Sequence, residues 1–271
     1  MSKTIIEAGG PGFQMRWKEL WQYRELLWML AWRDFRVKYA QTFLGLSWAI
    51  LNPLLTLLIL TFVFGTVVGV DTGDIPHPVY TLAGMCGWTY FSALTASAGG
   101  SIISYQQIVK KIYFPRLLIP LSKAITCFID FAVILLCLAL LMLLYGVSPS
   151  GNLLYLPLFI LMALLAGLSA GIWMSALTIR FRDFQHITPL LLRLGLYATP
   201  IAYPASAVPE AYQMIFFLNP LAGIVEGMRW SLLGGDALPS HTYLSFAVVL
   251  LLFVSSIFYF HKVERSMADI L

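Results

Sequence analysis

Few side chains in this sequence can do chemistry, and those that can do not converge. The four histidines, His77, His186, His241 and His261, are scattered along the chain, without an HExxH, paired-carboxylate or nucleophile-elbow pattern. No phosphate-cradling G-x-x-x-x-G-K-[ST] loop occurs, so nucleotide hydrolysis through a P-loop is excluded. Cys86, Cys127 and Cys137 all fall in apolar runs and read as small buried hydrophobes rather than a disulfide framework or metal site. What remains is charge in unusual places. Asp130 and Arg193 lie inside apolar stretches. Glu226 and Arg229 stand three residues apart, where an intrahelical ion pair is sterically available. The stretch "QQIVKKIYFPR", Gln106 to Arg116, is short, basic and amphipathic, and separates two greasy runs.

The elements that must position these residues follow from composition. Of 271 residues, 59% are hydrophobic and 11% charged, and the mean hydropathy is +0.81. Soluble domains run at about 25% charged, so the chain reads as an integral membrane protein. Its first twenty residues lack the apolar core and small-residue site of a cleaved signal, so the internal helices are expected to be the anchors. A helical span takes roughly 20 apolar residues. Candidates fall at 43–70, 79–105, 117–146, 153–179, 187–206 and 242–261. The apolar region 213–234, broken by Asn219 and Pro220, reads as one or two short re-entrant helices. The expected architecture is all-α, a single domain over 1–271: residues 1–42 form the N-terminus and an interface helix, 43–261 carry six transmembrane helices, and 262–271 are the tail.

Orientation follows from Lys and Arg. Fifteen of the 17 fall in the N-terminal segment, around 106–123, at 180–182 and in the C-terminal tail, which share one side if there are six spans. The opposite loops hold Asp71, Asp74, Glu210, Glu226 and Asp236. Both termini and the basic stretch are therefore expected to be cytoplasmic. Before the first span, Leu20, Leu27, Leu30, Ala31 and Phe35 recur at helical spacing among Arg24, Arg33, Arg36 and Lys38, with tryptophans at 17, 21, 28 and 32. This predicts an amphipathic helix in the membrane interface, or else a sticky flank that only sets topology. Each of Asp130 and Arg193 would cost about 2.5–3.5 kcal/mol at the bilayer centre, so each should face protein or water, either as a mutual pair or with separate partners.

In the basic stretch, Ile108, Ile112 and Tyr113 can share one helical face, leaving Gln107, Lys110 and Lys111 exposed, and Pro115 forces a break before the next helix. Two readings stand side by side. The lysines either anchor a turn on the positive side, or belong to a lever that docks on a cytoplasmic partner and moves the following span.

Four segments, in register from Trp32 to the C-terminus, resemble membrane subunits of type-2 ABC exporters of bacterial surface polysaccharides. They are "WRDFRVKYAQTFLGLSWAILNPLL", "IVKKIYFPRLLIPLSK", "RFRDFQHITPLLL" and "FFLNPLAGIVEGMRWSLLGG". The resemblance implies a homodimer in the bacterial inner membrane, paired with two copies of a separate ABC ATPase. ATP and Mg would sit in that partner, with no cofactor in this chain and no nucleic acid involved. It favours the lever, with Gln107, Lys110, Lys111, Tyr113, Phe114, Pro115 and Arg116 coupling to the ATPase. The implied substrate is a glycan on an undecaprenyl-pyrophosphate or phospholipid anchor. Cations for that pyrophosphate are then Arg33, Arg36, Lys38 and Arg180.

Sugars stack their C–H faces on aromatic rings, so Trp88, Tyr90 and Phe91, and further along Tyr197 and Tyr203, are candidate walls of the substrate channel. Close helix packing by neighbouring small residues and a tyrosine belt at the membrane edge are the structural alternatives. Asn219, Pro220, Glu226 and Arg229 are expected to shape a re-entrant gate. The "FLGLSWAILNP" opening resembles O-antigen and teichoic-acid exporters more than group-2 capsule exporters, which more often show a Glu where Asn52 stands; O-antigen is the favoured reading, since teichoic acid would require a Gram-positive host. An exporter of drugs or lipids, and a polytopic glycan-processing enzyme, are the readings from other classes.

Overall fold

The computed structural model describes residues 17–40, 45, 47–235, 237–264 and 267. Asp236, residues 1–16 and most of the C-terminal tail therefore lie outside the described residues, as do residues 41–44 and 46. Among the described residues the chain is all-helical and contains no strand. The short helix α1 (Trp17–Gln22) leads into α2 (Arg24–Tyr39), then α3 (Ser47–Leu60), which continues as a π-helix over Thr61–Val67. α4 (His77–Gly99) is followed by two single turns, α5 (Ser101–Ser104) and α6 (Gln106–Val109). α7 (Leu118–Tyr145), α8 (Leu156–Arg180) and α9 (Phe184–Ala198) come next. Two short helices, α10 (Glu210–Phe216) and α11 (Pro220–Leu233), precede α12 (Thr242–Glu264).

Among the described residues, four helical stretches are long and apolar enough to cross a bilayer: 48–67, 118–145, 151–180 and 242–264. α4 is long enough, at 23 residues, but richer in Gly, Ser and Thr, because its neighbours are other helices. It packs most extensively on α8 and also against α7 and α11. A Cβ on Gly171 of α8 would stand 2.6 Å from the Cβ of Ala98, so glycine there permits the crossing.

α9 is shorter than the sequence predicts. Pro200 and Pro204 follow it, and proline disfavours helix in the residue before it. The helix therefore stops at Ala198 after 15 residues, about 22 Å at 1.5 Å per residue, against a hydrocarbon core of about 30 Å. α7 ends on Gly146, whose φ of +70° closes a reverse turn with Val147 N–H donating to the Met142 carbonyl at 2.9 Å. The broken region 213–234 resolves into α10 and α11, as its Asn-Pro break predicts.

Candidate functional site

The basic stretch forms less helix than expected. α6 is one turn, and from Lys110 the chain unwinds to Pro115. Gln107, Lys110 and Lys111 are exposed as predicted, but Ile112 and Tyr113 are not on an inward face: they are 61% and 63% exposed. The helix that would have carried them inward has ended, and Tyr105, Val109 and Phe114 fill the core instead.

Tyr105 joins a polar cluster. Its hydroxyl donates to Asp34 Oδ1 of α2 at 2.5 Å, and Lys123 of α7 pairs with Asp34 Oδ2 at 2.5 Å. The guanidinium of Arg33 and the ammonium of Lys123 lie 4.7 and 4.9 Å from the Tyr105 ring centroid. Burial, followed by the Asp34 carboxylate, pushes the Tyr105 hydroxyl above its ordinary range, so it remains a protonated donor. At the far end, Arg116 N–H donates to Glu264 Oε1 at 3.1 Å, and its guanidinium donates to the Glu264 carbonyl at 2.7 Å.

α2 buries Leu30 and Ala31, half-buries Leu27 and Phe35 and leaves Trp28 and Trp32 exposed, while on α1 Leu20 is half-buried and Trp21 exposed. It is fixed to α7 by a second charged contact, in which Asp130 accepts from both Lys38 and Tyr39. Asp130 thus takes partners other than Arg193, which is exposed on α9. Arg33, Arg36 and Arg180 are likewise exposed, with Arg180 5.5 Å over the Phe181 ring.

Lys38, Tyr39 and Asp130 line a cavity of about 500 Å³ together with Asn52, Trp88, Tyr90 and Phe131. Two of the predicted channel aromatics and one predicted phosphate contact therefore share one space. Phe91 packs on Trp88, with ring centroids 5.6 Å apart, rather than lining it. Tyr197 and Tyr203 sit elsewhere, the Tyr203 hydroxyl donating to the Tyr197 carbonyl at 3.3 Å.

The predicted gate residues form a lock around the chain that follows α9. Asn219 caps α11 by accepting from Leu221 N–H at 3.0 Å, and its amide donates to the Ala198 carbonyl at 3.1 Å. Pro220 follows at the first helical position, where its missing N–H leaves no bond unmade. Glu226 and Arg229 pair at 3.0 Å. Arg229 also donates to the carbonyls of Pro200 and Ile201 at 2.7 and 2.9 Å, and lies 3.8 Å from the Tyr80 ring centroid. Glu226 accepts from Ala205 N–H at 2.7 Å.

Asp34, Tyr105, Lys123 and Glu264 were not singled out from the sequence. Lys123 carried the available signal: assigned to a basic loop, it lies six residues into α7, where a cation needs a partner.

Residues 25–233 match the family model described as ABC-2 type transporter. The chain is 31% identical over 247 residues to an O-antigen export system permease protein RfbA of Myxococcus xanthus, covering 89% of this chain and 94% of that protein. An RfbA of Klebsiella pneumoniae is 28% identical over 248 residues, 91% of this chain and 95% of that one. The polysialic acid transport protein KpsM of Escherichia coli is 28% identical over 242 residues, 88% and 93% respectively. With well over half of its length matched by the family model and these relatives aligned nearly end to end, the chain belongs to the ABC-2 type transporter family.

Proposed function

We propose that this chain is the membrane permease of an ATP-driven exporter that carries lipid-linked O-antigen polysaccharide out of the cytoplasm. The observation that carries the reading is its similarity, over about nine-tenths of its length, to permeases named for O-antigen export. The similarity to KpsM supports capsular polysaccharide as the second reading. In this proposal the chain sits in the bacterial inner membrane as a homodimer. It crosses six times, through α3, α4, α7, α8, α9 and α12, with both termini cytoplasmic, α2 in the cytoplasmic interface, and α10–α11 re-entering from the outer side.

The chemistry is conformational work rather than catalysis. A separate ABC ATPase, two copies per dimer, binds ATP and Mg and docks on the exposed face around Gln107, Lys110, Lys111 and Tyr113, with Phe114, Pro115 and Arg116 behind it. The buried Phe114 ring gives that face an anchor in the core. Arg33, Arg36, Lys38 and Arg180 present cations to the anchor's pyrophosphate. Trp88 and Tyr90, with Phe91 behind Trp88 and Tyr197 and Tyr203 further along, offer ring faces to sugars. Asn219, Pro220, Glu226 and Arg229 hold the shape of the gate.

A strain lacking the chain tests this directly. Lipid-linked polymer trapped on the cytoplasmic side, with its sugars matching the missing surface O-antigen, is the expected result. Trapped capsular sugars would select the second reading. Normal surface glycan in a strain without a redundant exporter would remove both.

A further inference from the structure

The basic stretch is fastened on both sides, to α2 through the preceding Tyr105 and to α12 through Arg116. At its start, Tyr105 bonds Asp34 of α2, and Asp34 in turn holds Lys123 of α7. At its close, Arg116 reaches Glu264 of α12, 148 positions away. This second contact uses both kinds of group. Main-chain N–H of Arg116 meets the side chain of Glu264, and the side chain of Arg116 meets the main-chain carbonyl of Glu264. Arg116 therefore ties both its backbone and its side chain to α12 from a distant part of the sequence. His261, one turn back on α12, lies 3.4 Å from the other Glu264 carboxylate oxygen. Between the two fastened ends, the exposed residues 110–113 are left as the free face.

We propose that Glu264 is a positioning residue of transport: it clasps Arg116, so that displacement of the exposed 107–113 face is delivered to α12 as well as to α2 and α7. The inference rests on the reading of that face as the ATPase-docking surface. Because α12 packs along α8 and α11, motion received at Glu264 reaches α11, which holds the 198–205 lock.

The test uses the permease–ATPase complex in cells and purified in proteoliposomes. Glu264→Ala removes the acceptor for Arg116 N–H, whereas Glu264→Gln keeps an oxygen in the same place. The Ala variant is expected to co-purify with the ATPase at the wild-type level while surface glycan falls about tenfold, in the range of measured coupling effects. The Gln variant should restore export. In wild type, ATP should change amide hydrogen exchange at residues 258–264; that change should vanish in Ala and return in Gln. Should the Ala protein fail to accumulate, Glu264→Asp, one methylene short of its partner, should show the same loss of export at unaltered melting temperature. Full export by Ala, or by Asp in its place, or an undiminished ATP-dependent exchange change in either, overturns the clasp. A companion Lys110→Glu/Lys111→Glu variant separates the two ideas. If it still binds the ATPase, the docking reading falls. If it loses the ATPase while Glu264→Ala exports normally, docking stands and the clasp falls.

Discussion

Asp34 and Asp130 are both carboxylates held by a lysine, yet their surroundings give the two pairs different magnitudes. In the Lys123–Asp34 pair the side chains are 11% and 18% exposed, and in Lys38–Asp130 they are 47% and 14% exposed. Removing one member of a buried pair strands the other and costs about 3–5 kcal/mol, whereas a largely exposed lysine contributes about 0–1 kcal/mol. Asp34→Ala should therefore lower the thermal midpoint of the detergent-solubilised protein markedly, and Lys38→Ala only slightly. Equal shifts would show that solvent screens both pairs alike. The sequence makes Asp130 conspicuous because it sits alone among apolar residues. Asp34 is hidden among Arg33, Arg36 and Lys38, where a carboxylate looks like local charge balance, and its true partner is 89 positions away.

At the scale of elements, two linkages stand apart from the helix packing. In the first, the stretch 106–116 exposes two lysines whose side chains hold no part of the fold in place. Lys110→Glu/Lys111→Glu should consequently abolish export, by tenfold or more on the scale of coupling energies, while leaving the melting temperature unchanged. Unaltered export together with normal ATPase co-purification would assign these lysines to topology alone. In the second, Arg229 ties α11 to the chain after α9 through two carbonyls and Glu226. Lysine cannot reach three acceptors in the forked geometry of a guanidinium. Arg229→Lys should therefore raise protease sensitivity within 199–209 without dissociating the other helices. The Glu226–Arg229 spacing makes that pair legible in sequence. Its carbonyl partners are not, because they belong to an irregular segment whose path is set only once Pro200 and Pro204 have ended α9. The same difficulty blurs the basic stretch: its amphipathic spacing reads as one helix, but α6 stops at Val109 and turns Ile112 and Tyr113 outward.

For the whole molecule, the pattern of apolar runs gives the helical class and the order of the elements, while helix lengths and depth depend on packing. α4 illustrates this. Its Ser, Thr and Gly content weakens its apparent hydropathy, yet it is the most enclosed of the long helices. The outward faces of α3, α7 and α9 are by contrast apolar, with Leu58, Leu143 and Leu194 exposed, as expected of surfaces covered by lipid or a second subunit. The proposed six-span arrangement predicts that cysteines placed at Gly73 and at Lys110 react with a membrane-impermeant maleimide from opposite sides. Labelling of both from the same side would require a different topology.

The enclosed position of α4 also bears on how the protein is made. Thr95 of α4 donates to the carbonyl of Gly167, 72 residues later in the chain, and Ala98 rests against Gly171. When α4 leaves the ribosome, the surface it needs has not yet been synthesised. A segment with this many small and polar residues gains little from lipid by itself. Its insertion should therefore await α8, held meanwhile by the translocon or by a dedicated insertase. Nascent chains truncated before Gly151 should leave a glycosylation tag beyond α4 in an unsettled position, and extension past Arg180 should fix it.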